Sequence, residues 1–165
     1  MIYPSPAHWS MKGIRGVLAQ RNLREVQGIV EKALIEYVDE RSEDPAMKYA
    51  KDILLAGGKR FRPVLGCLAY EAAGATLDDK MLRTALSAEI IHTATLVHDD
   101  IYDQAKLRRG RPTLHSQHGI AHGIISGDYL FTLGYWLGAE QGPEVIKVLA
   151  DCLLYTSPSP RDPVS

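Results

Sequence analysis

From Leu23 onward, the apolar positions Leu23, Val26, Val30, Ala33 or Leu34, and Tyr37 recur every three or four residues. That is the period of an amphipathic helix, and it predicts a first helix over about 20–38. A second is expected from Pro45, a favoured first helical residue, to Leu55, where Gly57 and Gly58 supply the pliant backbone that helix ends use. A third should run from Pro63 to Gly74. Thr76 fits an N-cap with Asp78 and Asp79 in the first turn, and no breaker follows until beyond Asp103, so the longest helix lies there. Gly110 and Pro112 mark a loop, another helix covers about 119–138, and Pro143 opens the next. Strand-type alternation is nearly absent, which makes the class all-α.

The 165 residues suffice for one domain with a real core, and 45% hydrophobic content excludes chain-wide disorder. A net charge of -1 provides no global field to recruit nucleic acid or anionic membrane. The cations are concentrated instead, with three in KRFR and four in KLRRGR out of 19. Two cysteines, Cys67 and Cys152, match neither a short-spaced metal site nor a disulfide scaffold, so a cytoplasmic location is expected. The start, MIYPSPAHWSMKG, lacks the pattern of a signal peptide, and no apolar run is long enough for a transmembrane segment. After Asp151 the helical pattern gives way to CLLYTSPSPRDPVS, which resembles translated adapter read-through. Residues 152–165 are therefore expected to be a non-native tail behind a domain over 1–151.

Chemistry concentrates in LVHDDIYDQAKLRRGRPT, residues 96–113. On a helix, His92, Asp99 and Asp103 fall within roughly 40° of one another, so one face carries an imidazole and two carboxylates. Asp99 and Asp103 are like charges at i and i+4, at the negative end of the helix dipole, and each effect costs on the order of 0.2–1 kcal/mol. A divalent cation converts that repulsion into binding. Two carboxylates leave most of an octahedral Mg²⁺ shell to water or phosphate oxygens. The alternative for this motif alone is a solvated acidic helix end.

GGKRFRP, residues 57–63, and LRRGRPT, after the acidic helix, place mixed Lys and Arg on two loops, as two phosphate groups require. Stabilisation of a helix C-terminus explains part of the first cluster but not its recurrence. GGKRFRP, HTATLVHDDIYD, LRRGRPT and GDYLF, in that order and spacing, resemble the first half of a trans-isoprenyl diphosphate synthase over roughly residues 20–150.

The resemblance implies a helical bundle of the isoprenoid synthase type around a central cavity, here truncated. It implies condensation of an allylic diphosphate with isopentenyl diphosphate. Asp99 and Asp103 would hold Mg²⁺ with Asp100 in support, Lys59, Arg62, His92 and Arg109 would hold isopentenyl diphosphate, and Arg108 would meet the allylic diphosphate. Asp128 in GDYLF matches a secondary acid near the metal, with a capping Asp as its alternative. Ala94 and Thr95, small residues one turn before Asp99, hint at a product longer than farnesyl, geranylgeranyl or beyond. A homodimer is implied by resemblance alone. The second aspartate-rich motif of such enzymes has no counterpart in these residues, so the chain as written is expected to have little or no synthase activity.

Four rivals stand beside this reading. An HD-type metal phosphohydrolase is suggested by His98 next to Asp99, but His98 lies off the metal face, on the side away from Asp103. Zinc on His115, His118 and His122 is opposed by Gly119 and by the lack of a neighbouring acid or thiol. Nucleic-acid binding lacks stacking aromatics in the basic loops. A non-catalytic diphosphate-binding subunit is disfavoured by the intact DDIYD.

Overall fold

The structure is a computed structural model that describes residues 23–156. Its elements are α1 (Leu23–Asp39), α2 (Met47–Leu54), α3 (Phe61–Ala72), α4 (Asp79–Tyr102), β1 (Leu107–Arg108), β2 (Arg111–Pro112), α5 (Leu114–His118), α6 (Ile120–Gln141) and α7 (Pro143–Thr156). The all-α class holds. The one departure is a minimal antiparallel hairpin in what the sequence marks as a loop.

The first helix buries most of the stripe its sequence pattern predicts. Val26, Val30, Leu34 and Tyr37 of α1 turn inward, while Leu23 stays exposed. Met47, Ala50 and Leu54 of α2, with Val64, Cys67 and Leu68 of α3, join the same core. Asp44 prepares α2, its carboxylate accepting the Ala46 N–H at 2.9 Å. Pro63 sits inside the first turn of α3 and does not open it, since a proline is tolerated where its missing N–H has no helical acceptor. Asp78, not Thr76, is the N-cap of α4, accepting the Met81 N–H at 2.8 Å.

The central helix α4 is buried on several sides, with Leu86, Ile90, Ala94 and Val97 in the core. It packs antiparallel against α6, because Ser87, Ile91, His98 and Ile101 meet Gly138, Gly134, Gly127 and Gly123 in reverse order. Those glycines follow i, i+4, i+11 and i+15, one face of a helix. A Cβ on Gly134 would stand 2.6 Å from Ile91 Cγ1, and Ser87 donates its hydroxyl to the Gly134 carbonyl at 2.7 Å. The backbones therefore approach more closely than ordinary side chains permit.

The predicted start of the first helix at 20 lies outside the described residues, as do residues 157–165. α7 remains helical to Thr156, five residues past Asp151, where the Pro/Ser-rich tail was expected to begin. α6 matches the expected helix over about 119–138, and the short α5 stands before it as an additional element, separated from it by Gly119 at φ 91°.

Candidate active site

The end of α4 is fixed by its backbone. Gln104 N–H reaches the Ile101 carbonyl at 3.1 Å and Ala105 N–H reaches that of Asp100 at 2.9 Å, with Gln104 left-handed at φ 52°. This is a Schellman closure with Gln104 where glycine usually stands. It holds Asp103 as the C-cap, one turn beyond Asp99 on the same face. Asp99 is half-buried and Asp103 exposed.

Asp100 turns the other way and is 7% exposed. Its Oδ1 accepts a hydrogen bond from Arg108 Nε at 2.8 Å and forms an ion pair with Nη2 at 2.7 Å. That contact ties the hairpin to the helix. It also keeps Arg108 more firmly protonated than usual, first through the bond to Asp100, with the fields of Asp99 and Asp103 contributing. The hairpin is closed at its base by Thr113, whose hydroxyl donates to the Ala105 carbonyl at 2.7 Å. At its tip, Arg109 and Gly110 both have positive φ, 51° and 78°, as a tight two-residue turn demands.

The two basic loops meet. Arg109 Nη1 donates to the Gly57 carbonyl at 2.8 Å across 52 positions of sequence, and a Cβ on Gly58 would collide with the same nitrogen. Between the loops and α4 lies a cavity of about 370 Å³. His92, Asp100, Arg108 and Arg109 line its polar side, and Ile53, Leu55, Leu96, Val97 and Leu114 its apolar side. His92 is held below its ordinary pKa near 6.5, first by burial and then by the Arg62 guanidinium, with Arg109 and Arg108 adding and Glu89 opposing. A neutral imidazole thus sits in a field of three cations.

The structure brings together four of the predicted site residues on one cavity. Asp99, Asp103 and Arg62 do not line it, though their charges reach Arg108 or His92. Lys59 faces a separate depression of about 210 Å³ with Arg24, Gln27 and Phe61. Asp128 is exposed and lies 3.6 Å from His98 Nε2. Ala94 is core packing and Thr95 donates to the His92 carbonyl at 2.7 Å.

Sequence reading missed Arg60. It is 5% exposed, left-handed at φ 46°, and bonded to Glu31 at 2.8 and 3.2 Å, to Glu89 at 3.1 Å and to the Leu54 carbonyl at 2.7 Å. The middle cation of KRFR therefore points inward and fastens α1, α2 and α4, while Lys59 and Arg62 stay exposed. The available signal was Glu89, an acid in the apolar run LSAEII that burial obliges to find a cation.

His98 packs on α6, against the Phe131 ring at 5.6 Å and Gly127, away from the carboxylate face. Tyr49 sits against both His118 and His122, at 5.1 and 5.0 Å between ring centroids. Among the described residues no group of three His, Cys, Asp or Glu gathers to hold a metal. Asp99 and Asp103 nonetheless suit magnesium by donor chemistry, two hard oxygens on one face with the rest of the shell left to water and phosphate.

The polyprenyl synthetase family profile matches residues 44–158. The chain is 35% identical over 120 residues to a geranylgeranyl diphosphate synthase of Methanosarcina mazei, covering 73% of this chain and 37% of that one. It is 41% identical over 111 residues to component 2 of a heptaprenyl diphosphate synthase of Geobacillus stearothermophilus, covering 67% and 34%. Its structure is similar to that of a geranylgeranyl pyrophosphate synthetase of Geoglobus acetivorans, with a TM-score of 0.70 and 29% identity over 80% of this chain and 44% of that one. The chain spans about a third of the length of the curated relatives it matches.

Proposed function

Because the chain belongs to the polyprenyl synthetase family, we propose that it carries the first half of a magnesium-dependent isoprenyl diphosphate synthase. Such an enzyme joins an allylic diphosphate to isopentenyl diphosphate and releases diphosphate. The observation that carries this reading is the cavity on which His92, Arg108 and Arg109 converge from α4 and the hairpin, beside an apolar wall. A diphosphate with a short hydrocarbon tail has the same division of character.

In this reading Lys59, Arg62, His92 and Arg109 hold isopentenyl diphosphate, and Arg108, oriented by Asp100, meets the allylic diphosphate. Asp99 and Asp103 would hold Mg²⁺, which when bound offsets negative charge on diphosphate. Breaking the allylic carbon–oxygen bond leaves an electron pair on the departing diphosphate and a carbocation behind, and Arg108 stabilises the former. The double bond of isopentenyl diphosphate then attacks the cation, and the released diphosphate takes the proton. Ile53, Leu55, Leu96, Val97 and Leu114 keep water from the cation, and no side-chain nucleophile is required.

Ala94 and Thr95 favour a product longer than farnesyl, in keeping with the geranylgeranyl and heptaprenyl names of relatives. A cytoplasmic homodimer is proposed on the same likeness. Residues 1–151 are proposed as the N-terminal half of the synthase domain, with a non-native tail from 152. Prenyl transfer tests the reading, using farnesyl diphosphate, labelled isopentenyl diphosphate and magnesium. It is measured on this chain and on the reading frame recovered from the source gene across position 151. Label should enter a longer polyprenyl diphosphate with the recovered frame and hardly at all with the 165-residue chain. No incorporation by either, with phosphate released from a nucleotide instead, would favour the phosphohydrolase.

A further inference from the structure

We propose that Arg111 is a further diphosphate-binding residue and that its ligand is isopentenyl diphosphate. The inference rests on the reading that this cavity receives that substrate, which names Arg109 but not Arg111.

The hairpin register pairs Arg108 with Arg111 directly across the two strands, so both side chains leave the same face. Both line the cavity. Like charges opposite one another destabilise a strand pair, and a two-by-two hairpin has little stability of its own. Asp100 resolves half of the conflict by taking Arg108 in a hydrogen-bonded ion pair. No carboxylate pairs with Arg111 among the described residues.

The charges around the cavity lead to the same place. Its lining holds Arg60, Arg108, Arg109 and Arg111 against Asp52, Glu89 and Asp100. Glu89 is engaged by Arg60 and Asp100 by Arg108. Arg109 and Arg111 are left facing Asp52 alone, and Arg109 is bonded to a neutral carbonyl. Lys59 and Arg62 stand outside this lining, so within it a diphosphate meets Arg109 and a neutral His92, and Arg111 adds a second cation without a carboxylate partner.

The identity of the diphosphate follows from what the cavity leaves out. Asp99 and Asp103 do not line it, whereas His92 and Arg109 do. Arg108 lines it too but is held by Asp100, so a diphosphate beside Arg111 meets His92 and Arg109, the pair that the proposed reading gives to isopentenyl diphosphate.

The test is calorimetric titration of isopentenyl diphosphate into the 165-residue chain in EDTA, using the unaltered chain, Arg111→Gln, Arg111→Lys and Arg109→Gln. Arg111→Gln should weaken binding about tenfold, the loss of one charge-assisted contact, and Arg111→Lys should restore part of it. Arg111 is exposed, so the unfolding midpoint should not move. Binding of dimethylallyl diphosphate with magnesium should change less than about twofold in Arg111→Gln. If Arg111→Gln binds isopentenyl diphosphate like the unaltered chain while Arg109→Gln does not, Arg111 is a rim cation and the broader reading survives. An allylic loss equal to the isopentenyl loss overturns the assignment to isopentenyl diphosphate. If the unaltered chain fails to bind isopentenyl diphosphate, both readings fall.

Discussion

His92 and Arg60 illustrate two ways in which burial governs a charged or titratable side chain. The fold holds the His92 imidazole below its ordinary pKa, chiefly through burial. The unfolded chain therefore binds more protons in the window below about 6.5. Stability from this group is present above that pH and is lost as pH falls through the folded value. Urea unfolding should show a midpoint that declines from pH 7.5 to 5.5, and His92→Gln should flatten part of the decline. An equal slope in the variant would assign the effect elsewhere. Arg60, by contrast, is stabilised as a cation by Glu31 and Glu89. Arg60→Met leaves those acids without their partner in a buried setting, and it should lower unfolding free energy by about 3 kcal/mol. A loss below about 1 kcal/mol would mean that water reaches the pair. The acids and bases of the site were legible as residues, because the helix dipole and like-charge spacing both oppose DDIYD without a ligand. The inward turn of Arg60 was not, since KRFR does not reveal which cation points to the core.

At the scale of elements, α4 and α6 depend on glycine for their closeness. Gly134→Ala drives a methyl group into Ile91 and the Ser87 carbonyl and should cost about 1–3 kcal/mol. Gly28→Ala meets nothing within 4 Å on the exposed side of α1, and it should stabilise by about 0.5–1 kcal/mol through helix propensity. Thermal unfolding of the two variants checks both signs together. The first helix could be read from sequence because Val26, Val30, Leu34 and Tyr37 bury one stripe. The glycine seam could not, because GIISGDYLFTLGYWLG carries apolar residues on all sides. The hairpin was equally hidden, its strands being too short for alternation to register, although RG at a two-residue turn is its residual mark. The Asp78 cap was displaced from Thr76 by local bonding that spacing alone does not rank.

For the whole molecule, the long helix α4 is the frame on which everything else is placed. Its middle is core, and its last three turns present His92 to the cavity and Asp99 beyond it, with Asp103 as the cap. The two basic loops close over that end, joined by Arg109 and Gly57 and anchored by Asp100 and Arg60. The proposed function puts two diphosphate sites side by side, one built on cations and imidazole, the other on carboxylates that would take magnesium. Their different metal dependence is the central claim. The most direct measurement is calorimetric titration of a non-hydrolysable allylic diphosphate and of isopentenyl diphosphate into the chain, with magnesium and with EDTA, before and after Asp99→Asn and Asp103→Asn. The account predicts that allylic binding needs magnesium and falls by at least about tenfold in each variant, while isopentenyl diphosphate binds in EDTA and is unaffected by either substitution. Allylic binding that persists in EDTA and in both variants would contradict it.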